Sequence, residues 1–290
     1  MTKAMFFRLS ALLFCTTAVL AAEADVSKEP AAGTAFNQLF YFPTRDEPAT
    51  PATWGFRYQE VNFKSQDGTP LHGWLIRQHG KTAKATVVFS HGAAGSMGHH
   101  LGFVMWLAEA GYQVLVYDYR GYGKSKGHVS RRGIVDDVKA AMQYISTHPD
   151  HKSLPIISYG HSMGGAKSVV ALSEIKIKGL KAVVLDSTFS SYRNMAGRVA
   201  GRLGHSLVSD DLSPIDAIAK ISPLPLLIVH GTKDPVVPPA EANSLFQAAK
   251  APKILYMVEN GNHVNALARD GGAYRKEMLK WLDAQLGQAR

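Results

Sequence analysis

Ile156-Ile157-Ser158-Tyr159-Gly160-His161-Ser162-Met163-Gly164-Gly165 is the stretch that decides how the rest of the chain is read. It opens as a short apolar run, too brief for a helix and suited to a buried strand. It closes on Gly-x-Ser-x-Gly, with Gly160, Ser162 and Gly164 in the fixed places. Ala166 to Ile175 then reads as a helix with small residues at its start. Strand, sharp turn and helix form the context that a nucleophile elbow requires. Small neighbours let strand and helix close on each other, so the Ser162 hydroxyl stands clear of the sheet. The helix start adds free N–H groups and a positive dipole end. Five residues of this kind also occur by chance as a glycine-rich turn, so their meaning rests on the flanks.

Working outward, the same rhythm repeats. Phe56 to Lys64 and Leu71 to Gln78 are strand-like and joined by Gln66-Asp67-Gly68-Thr69, a hairpin signal. Ala85 to Ser90 is a continuous apolar run, hence a buried strand. The glycine-rich loop His91-Gly92-Ala93-Ala94-Gly95 follows it, then a helix from about His100 to Ala110 that Gly111 ends. Gln113 to Tyr117, Lys181 to Asp186, Pro223 to His230 and Lys253 to Val258 read as further strands. Helices lie between them, one marked by Ile134, Val135, Val138, Ala141, Met142 and Ile145, another spanning Ala240 to Ala249. Tyr274, Met278, Trp281 and Leu282 mark the last helix. A hairpin followed by strand–helix units predicts a mostly parallel sheet with helices on both faces.

The start of the chain is a separate matter. Lys3 and Arg8 precede the short apolar run Leu9 to Leu20, and Ala21, Ala22, Glu23 and Ala24 follow. That is the pattern of a secretory signal over residues 1–24, which predicts an exported, periplasmic or secreted protein. An uncleaved anchor is the alternative. Residues 25–55, rich in Ala, Pro and Thr, read as an extended leader pinned by Phe36, Leu39, Phe40, Tyr41 and Phe42. Cys15 is the single cysteine and lies inside the signal, so a mature chain has no disulfide and no thiol nucleophile. Apolar content of 46% and charged content of 19% fit a globular domain with a sizeable core. The net charge of +9 favours anionic surfaces, lipid headgroups among them, or is simply a solvated exterior. No basic block with interleaved aromatics is present, which argues against nucleic acid as a partner.

A nucleophilic Ser needs a base and an orienting acid, which in this sheet type follow in the order Ser, Asp or Glu, His at strand ends. His230-Gly231-Thr232-Lys233-Asp234 follows one strand and Glu259-Asn260-Gly261-Asn262-His263 the next. His263 is therefore the candidate base and Asp234 the candidate acid, with Asp186 the less favoured alternative acid. The oxyanion donors expected are the backbone N–H of Met163, just after the nucleophile, and of Ala93 in the loop after the third strand.

These pieces resemble the α/β-hydrolase superfamily. The resemblance rests on His91-Gly92-Ala93-Ala94-Gly95, on Tyr117-Asp118-Tyr119-Arg120-Gly121-Tyr122-Gly123-Lys124-Ser125, on Gly160 to Gly165, on His230 to Asp234 and on Gly261-Asn262-His263. It covers residues 56–290 and is similar to the small-lid serine hydrolases, among them depalmitoylating and bacterial serine aminopeptidase-like enzymes. It implies an α/β-hydrolase fold: a mostly parallel eight-stranded sheet, helices on both faces and a small lid over residues 187–222. It implies ester or thioester hydrolysis, sometimes amide hydrolysis, of a small-molecule or lipid-like acyl substrate with no cofactor and no metal.

Alternatives stay open. An aminopeptidase-like enzyme would hold a substrate amine with lid acids, and the lid offers Asp210, Asp211 and Asp216. A non-catalytic binding protein on the same fold is the other. Asp118 and Arg120 either touch substrate or anchor their loop. His91, His99 and His100 have no carboxylate among them, which disfavours a metal. His161 reads as a packed neighbour of the elbow, and Trp106, Tyr112 and Tyr117 as core. In the lid, Met195, Val199, Leu203, Leu207 and Val208 form an apolar stripe with Arg193, Arg198 and Arg202 interspersed. Either the stripe packs on the domain, or it closes over an acyl chain at about 0.8 kcal/mol per buried methylene while meeting an anionic surface.

Overall fold

A computed structural model describes residues 40–77 and 82–287. The signal pattern, Phe36 and Leu39 lie outside the described residues. Eight strands form one sheet: β1 (Arg57–Lys64), β2 (Pro70–Arg77), β3 (Thr86–Ser90), β4 (Gln113–Tyr117), β5 (Ile156–His161), β6 (Leu180–Asp186), β7 (Leu226–Gly231) and β8 (Lys253–Val258). Their order across the sheet is β8-β7-β6-β5-β3-β4-β2-β1. The β1–β2 and β2–β4 pairs are antiparallel and all others parallel. After β3 the chain steps to one side for β4, then crosses back to the other for β5. That reversal opens a crevice at the carboxyl ends of β3 and β5.

Both faces of the sheet are covered, so its central strands read as unbroken apolar runs. Neighbouring residues point to opposite sides. Val88, Leu115, Val183, Leu185 and Ile228 join the core under α1 (Arg131–Thr147), α2 (Met163–Glu174) and α4 (Pro239–Ala248). Val87, Val114, Val116, Val184 and Val229 join the core under α5 (Ala273–Gly287) and the helical turns around Met105. Trp106, Tyr112 and Tyr117 are buried in these layers.

Three local expectations need correction. The helix expected over His100 to Ala110 is broken into Met97–His100, a 3-10 turn at Leu101–Phe103 and Met105–Glu109. Gly102 weakens helix there, and the Asp118 carboxylate draws the start forward by accepting the Met97 N–H at 2.7 Å. The second correction is in the leader. Tyr41 is buried and Phe40 meets the Tyr192 ring edge-on at 5.3 Å, but the Phe42 side chain is 58% exposed. Backbone pairing of Phe42–Pro43 with Ala94–Gly95 holds that position instead.

The third concerns 187–222, where α3 (Tyr192–Leu207) dominates. Its backbone leaves helical geometry at Ala200 and Gly201, and Gly201 has φ 60° and ψ −149°. A Cβ on Gly204 would collide with the Ala196 carbonyl oxygen. Eight residues along a straight helix span about 12 Å, so α3 is two arms folded against each other. The apolar stripe is split accordingly. Val208 is buried and Met195 packs on the core, but Val199, Leu203 and Leu207 face solvent. For those three, packing on the domain is ruled out.

Candidate active site

Ser162 is the single residue between β5 and α2. It holds φ 52° and ψ −123°, a conformation that costs a non-glycine residue energy and persists only where its surroundings enforce it. Its N–H donates to the Asp186 carbonyl at 2.8 Å. A Cβ on Gly164 would collide with the Ser90 carbonyl oxygen and crowd that of His91. Glycine there lets the start of α2 lie against the end of β3, which brings the Met163 N–H beside the 91–95 loop. Among the described residues no hydrogen bond occupies the Ala93 or Met163 N–H.

His263 and Asp234 come in from the loops after β8 and β7. His263 Nε2 lies 3.1 Å from Ser162 Oγ, and His263 Nδ1 lies 2.8 Å from Asp234 Oδ2. A carboxylate at Nδ1 places the imidazole proton there and leaves the Nε2 lone pair for the hydroxyl. The other carboxylate oxygen accepts the N–H groups of Val236 and Val237, each at 2.8 Å. Burial pushes the Asp234 carboxyl up. The His263 N–H and the two backbone donors outweigh it, so the group sits below its ordinary value and is ionised at neutral pH. The two loops are stitched by the Lys233 N–H to Gly261 O at 2.9 Å. His230, which sequence reasoning left without a role, braces the acid loop through Nε2 to Val237 O at 2.9 Å.

Asp186 sits behind this group and makes no hydrogen bond to His263. Its carboxylate accepts Ser187 Oγ–H at 3.0 Å and Tyr159 O–H at 3.1 Å. Burial raises it to about 6, against those two bonds. Ser187 Oγ also accepts the Val264 N–H at 3.0 Å, so Asp186 and Ser187 hold the histidine loop from below.

The 91–95 loop is braced on several sides. Tyr119 and Tyr122 donate to the carbonyls of His91 and Ala93 at 2.8 and 2.7 Å. His100 Nε2–H donates to Ala94 O at 2.7 Å, and its Nδ1 accepts from His161 Nε2 at 2.9 Å. His161 is thus a buried neighbour of the elbow that also ties the elbow to the loop. Burial lowers the pKa of His91, His100 and His161, that of His100 to about 4. All three are neutral in the fold. A histidine whose folded pKa is depressed contributes stability above its unfolded value, which is lost as pH falls below it. Urea midpoints should therefore drop between pH 6.5 and 4, and His100→Gln should make that drop shallower. An unchanged pH profile in the variant would show that the relay does not set it.

Asp118 and Arg120 anchor the structure and do not pair with each other. Arg120 binds Asp137 at 2.8 Å and Asp67 at 2.7 Å. Among the described residues Glu47, His72 and Asp118 offer ligand atoms within 4.8 Å of one another. The Lys124 ammonium already lies 2.8 Å from Glu47, a cation supplied by the chain itself.

Comparison with known proteins agrees with this architecture. A family model described as serine aminopeptidase S33 matches residues 81–214. The chain is 36% identical over 248 residues to YfhR of Escherichia coli K12, covering 84% of this chain and 86% of that one. It is 30% identical over 276 residues to the α/β-hydrolase domain-containing protein WAV2 of Arabidopsis thaliana, covering 87% and 89%. An esterase of Pyrococcus furiosus superposes with a TM-score of 0.71 at 24% identity, covering 86% of this chain and 99% of the other. By its sheet order and these relatives together, the chain belongs to the α/β-hydrolase family.

Proposed function

We propose that this protein is a serine hydrolase that cleaves carboxylic ester or thioester bonds through an acyl-enzyme on Ser162. The observation that carries the reading is the unbroken hydrogen-bonded line from Ser162 Oγ through His263 to Asp234. Ser162 Oγ attacks the substrate carbonyl carbon as its proton passes to His263 Nε2. Asp234 stabilises the imidazolium and keeps the ring oriented. The Met163 and Ala93 N–H groups receive the negative charge that develops on the carbonyl oxygen; one such donor is worth about 3 kcal/mol of barrier. The imidazolium then gives its proton to the departing alcohol or thiol. Water repeats the sequence on the acyl-enzyme and frees the acid.

The family model keeps a peptidase reading in view, because its description is of an aminopeptidase. One of the three lid acids argues for esters. Asp210 is taken up by Ser191 Oγ at 2.7 Å and the Arg193 N–H at 3.2 Å, capping α3, and so is poorly placed to hold a substrate amine. A panel of acyl esters, thioesters and aminoacyl amides tests the choice. Esters and thioesters should exceed amides in kcat/KM by at least about 100-fold, equivalent to about 2.7 kcal/mol. Faster turnover of aminoacyl amides would move the assignment to the peptidase branch.

A further inference from the structure

The folded-back α3 presents an unusual surface. Val199 is 77% exposed, Leu203 65% and Leu207 49%. Exposed Arg193, Arg198, Arg202 and His205 surround them, and Tyr192–Leu207 contains no acidic residue. Arg198 donates to the Pro235 carbonyl at 2.7 Å, which ties this arm to the loop that carries Asp234. On that loop Val236 is 48% exposed beside exposed Lys233. Protruding apolar side chains, flanked by cations, thus stand at the Asp234 rim of the candidate active site. Of the nearby acids, Asp234 is buried under His263, Asp210 is engaged at the root of α3, and exposed Asp211 follows Asp210 beyond the end of α3.

We propose that α3 and the Val236 loop form a docking face for an anionic lipid bilayer. The apolar side chains enter the acyl boundary while the arginines keep their stems apolar and their guanidinium groups at the headgroups. A second copy of this chain fits the face poorly. A two-fold interface repeats the same patch on both sides, so it would press the arginines against their own copies. An anionic headgroup layer supplies the opposite charge, and the chain as a whole carries +9. Docking would set the Ser162 site beside the bilayer. Under the hydrolase reading above, its substrates would then be acyl esters or thioesters held at that surface.

The test reads docking without turnover, so its failure leaves the hydrolase reading standing. The full chain carries Cys15→Ser and either Val199→Cys or Lys152→Cys, the latter exposed at the amino end of β5. An environment-sensitive dye is attached to the new thiol. Phosphatidylcholine vesicles with phosphatidylglycerol should shift the Val199 dye to the blue and leave the Lys152 dye unchanged. The shift should weaken with salt and be small on phosphatidylcholine alone. Leu203→Asp should weaken vesicle affinity at least about tenfold, and Arg202→Gln should lessen its salt dependence and serves if the first variant does not fold. Several results would overturn the proposal. These are no shift at Val199, equal shifts at both positions, equal binding to uncharged vesicles, or a dye already buried in a dimer before vesicles are added.

Discussion

Ser162→Ala should abolish fluorophosphonate labelling and lower ester turnover by about 10⁶, the scale seen when the nucleophile of a coupled triad is removed. Three features make the expected loss that large. The Oγ is the group aligned with His263 Nε2. The elbow backbone is committed to an unfavourable conformation that serves to present one side chain. The sequence holds a single thiol, Cys15, within the stretch that reads as a secretory signal. The proposed oxyanion donors are backbone groups and survive the substitution, so slow background hydrolysis should remain. The fold should be little affected. Among the described residues the Ser162 side chain bonds only to His263, and the N–H that anchors the turn on Asp186 O is untouched. A melting temperature near that of the parent, with labelling gone, is the expected pair of results. Undiminished labelling of a folded variant would place the nucleophile elsewhere.

Much of this arrangement was legible in the sequence, for a physical reason. A strand buried on both faces must be apolar throughout, so β3, β4 and the first four residues of β7 stand out as runs such as Val87-Val88-Phe89. Catalytic groups in a parallel sheet sit where strands end, so position along the chain singled out Ser162 and His263 and left Asp234 ahead of Asp186, and it is the hydrogen bond from His263 Nδ1 to Asp234 Oδ2 that separates the two acids. What stayed hidden depends on contacts between distant residues. His100 and His161 are 61 positions apart, and neither has a local pattern that names the other as its partner. Ser187 reads as an ordinary residue after a strand until the Val264 N–H is found on its hydroxyl. The early helix start at Met97 required knowing that Asp118 reaches the Met97 N–H. The reversal in α3 did leave a trace. Gly197, Gly201 and Gly204 make a poor straight helix.

The identity of the acid carries the second large effect. Asp234→Asn should lower kcat by about 10⁴ while leaving the melting temperature close to the parent's. Asparagine keeps an acceptor for the Val236 and Val237 N–H groups, so the loop retains its shape. It can, however, present an N–H where His263 Nδ1–H needs an acceptor, which favours the tautomer with the proton on Nε2. The imidazole then faces Ser162 with a proton in place of a lone pair and cannot accept the hydroxyl hydrogen. Asp186→Asn is the informative control. Its carboxylate accepts two hydroxyls, from Ser187 and Tyr159, and has no bond to His263. Losing one acceptor there should cost stability first and kcat less than about tenfold, through a looser Val264 anchor. The pH dependence separates the two further. Asp234 is ionised well below neutrality, so the parent enzyme should not lose activity near pH 6 through this group. Asp186, raised to about 6, changes charge there, so the opposing contribution it makes against the histidine-linked drop should be missing in Asp186→Asn, steepening that drop, and persist in Asp234→Asn. The sign follows from linkage: a carboxyl whose folded pKa is raised favours the fold below its unfolded value, and that contribution fades as pH climbs through about 6. Should Asp186→Asn instead show the four-decade fall in kcat and Asp234→Asn keep nearly full activity, the orienting acid belongs to the end of β6 and not to the loop after β7.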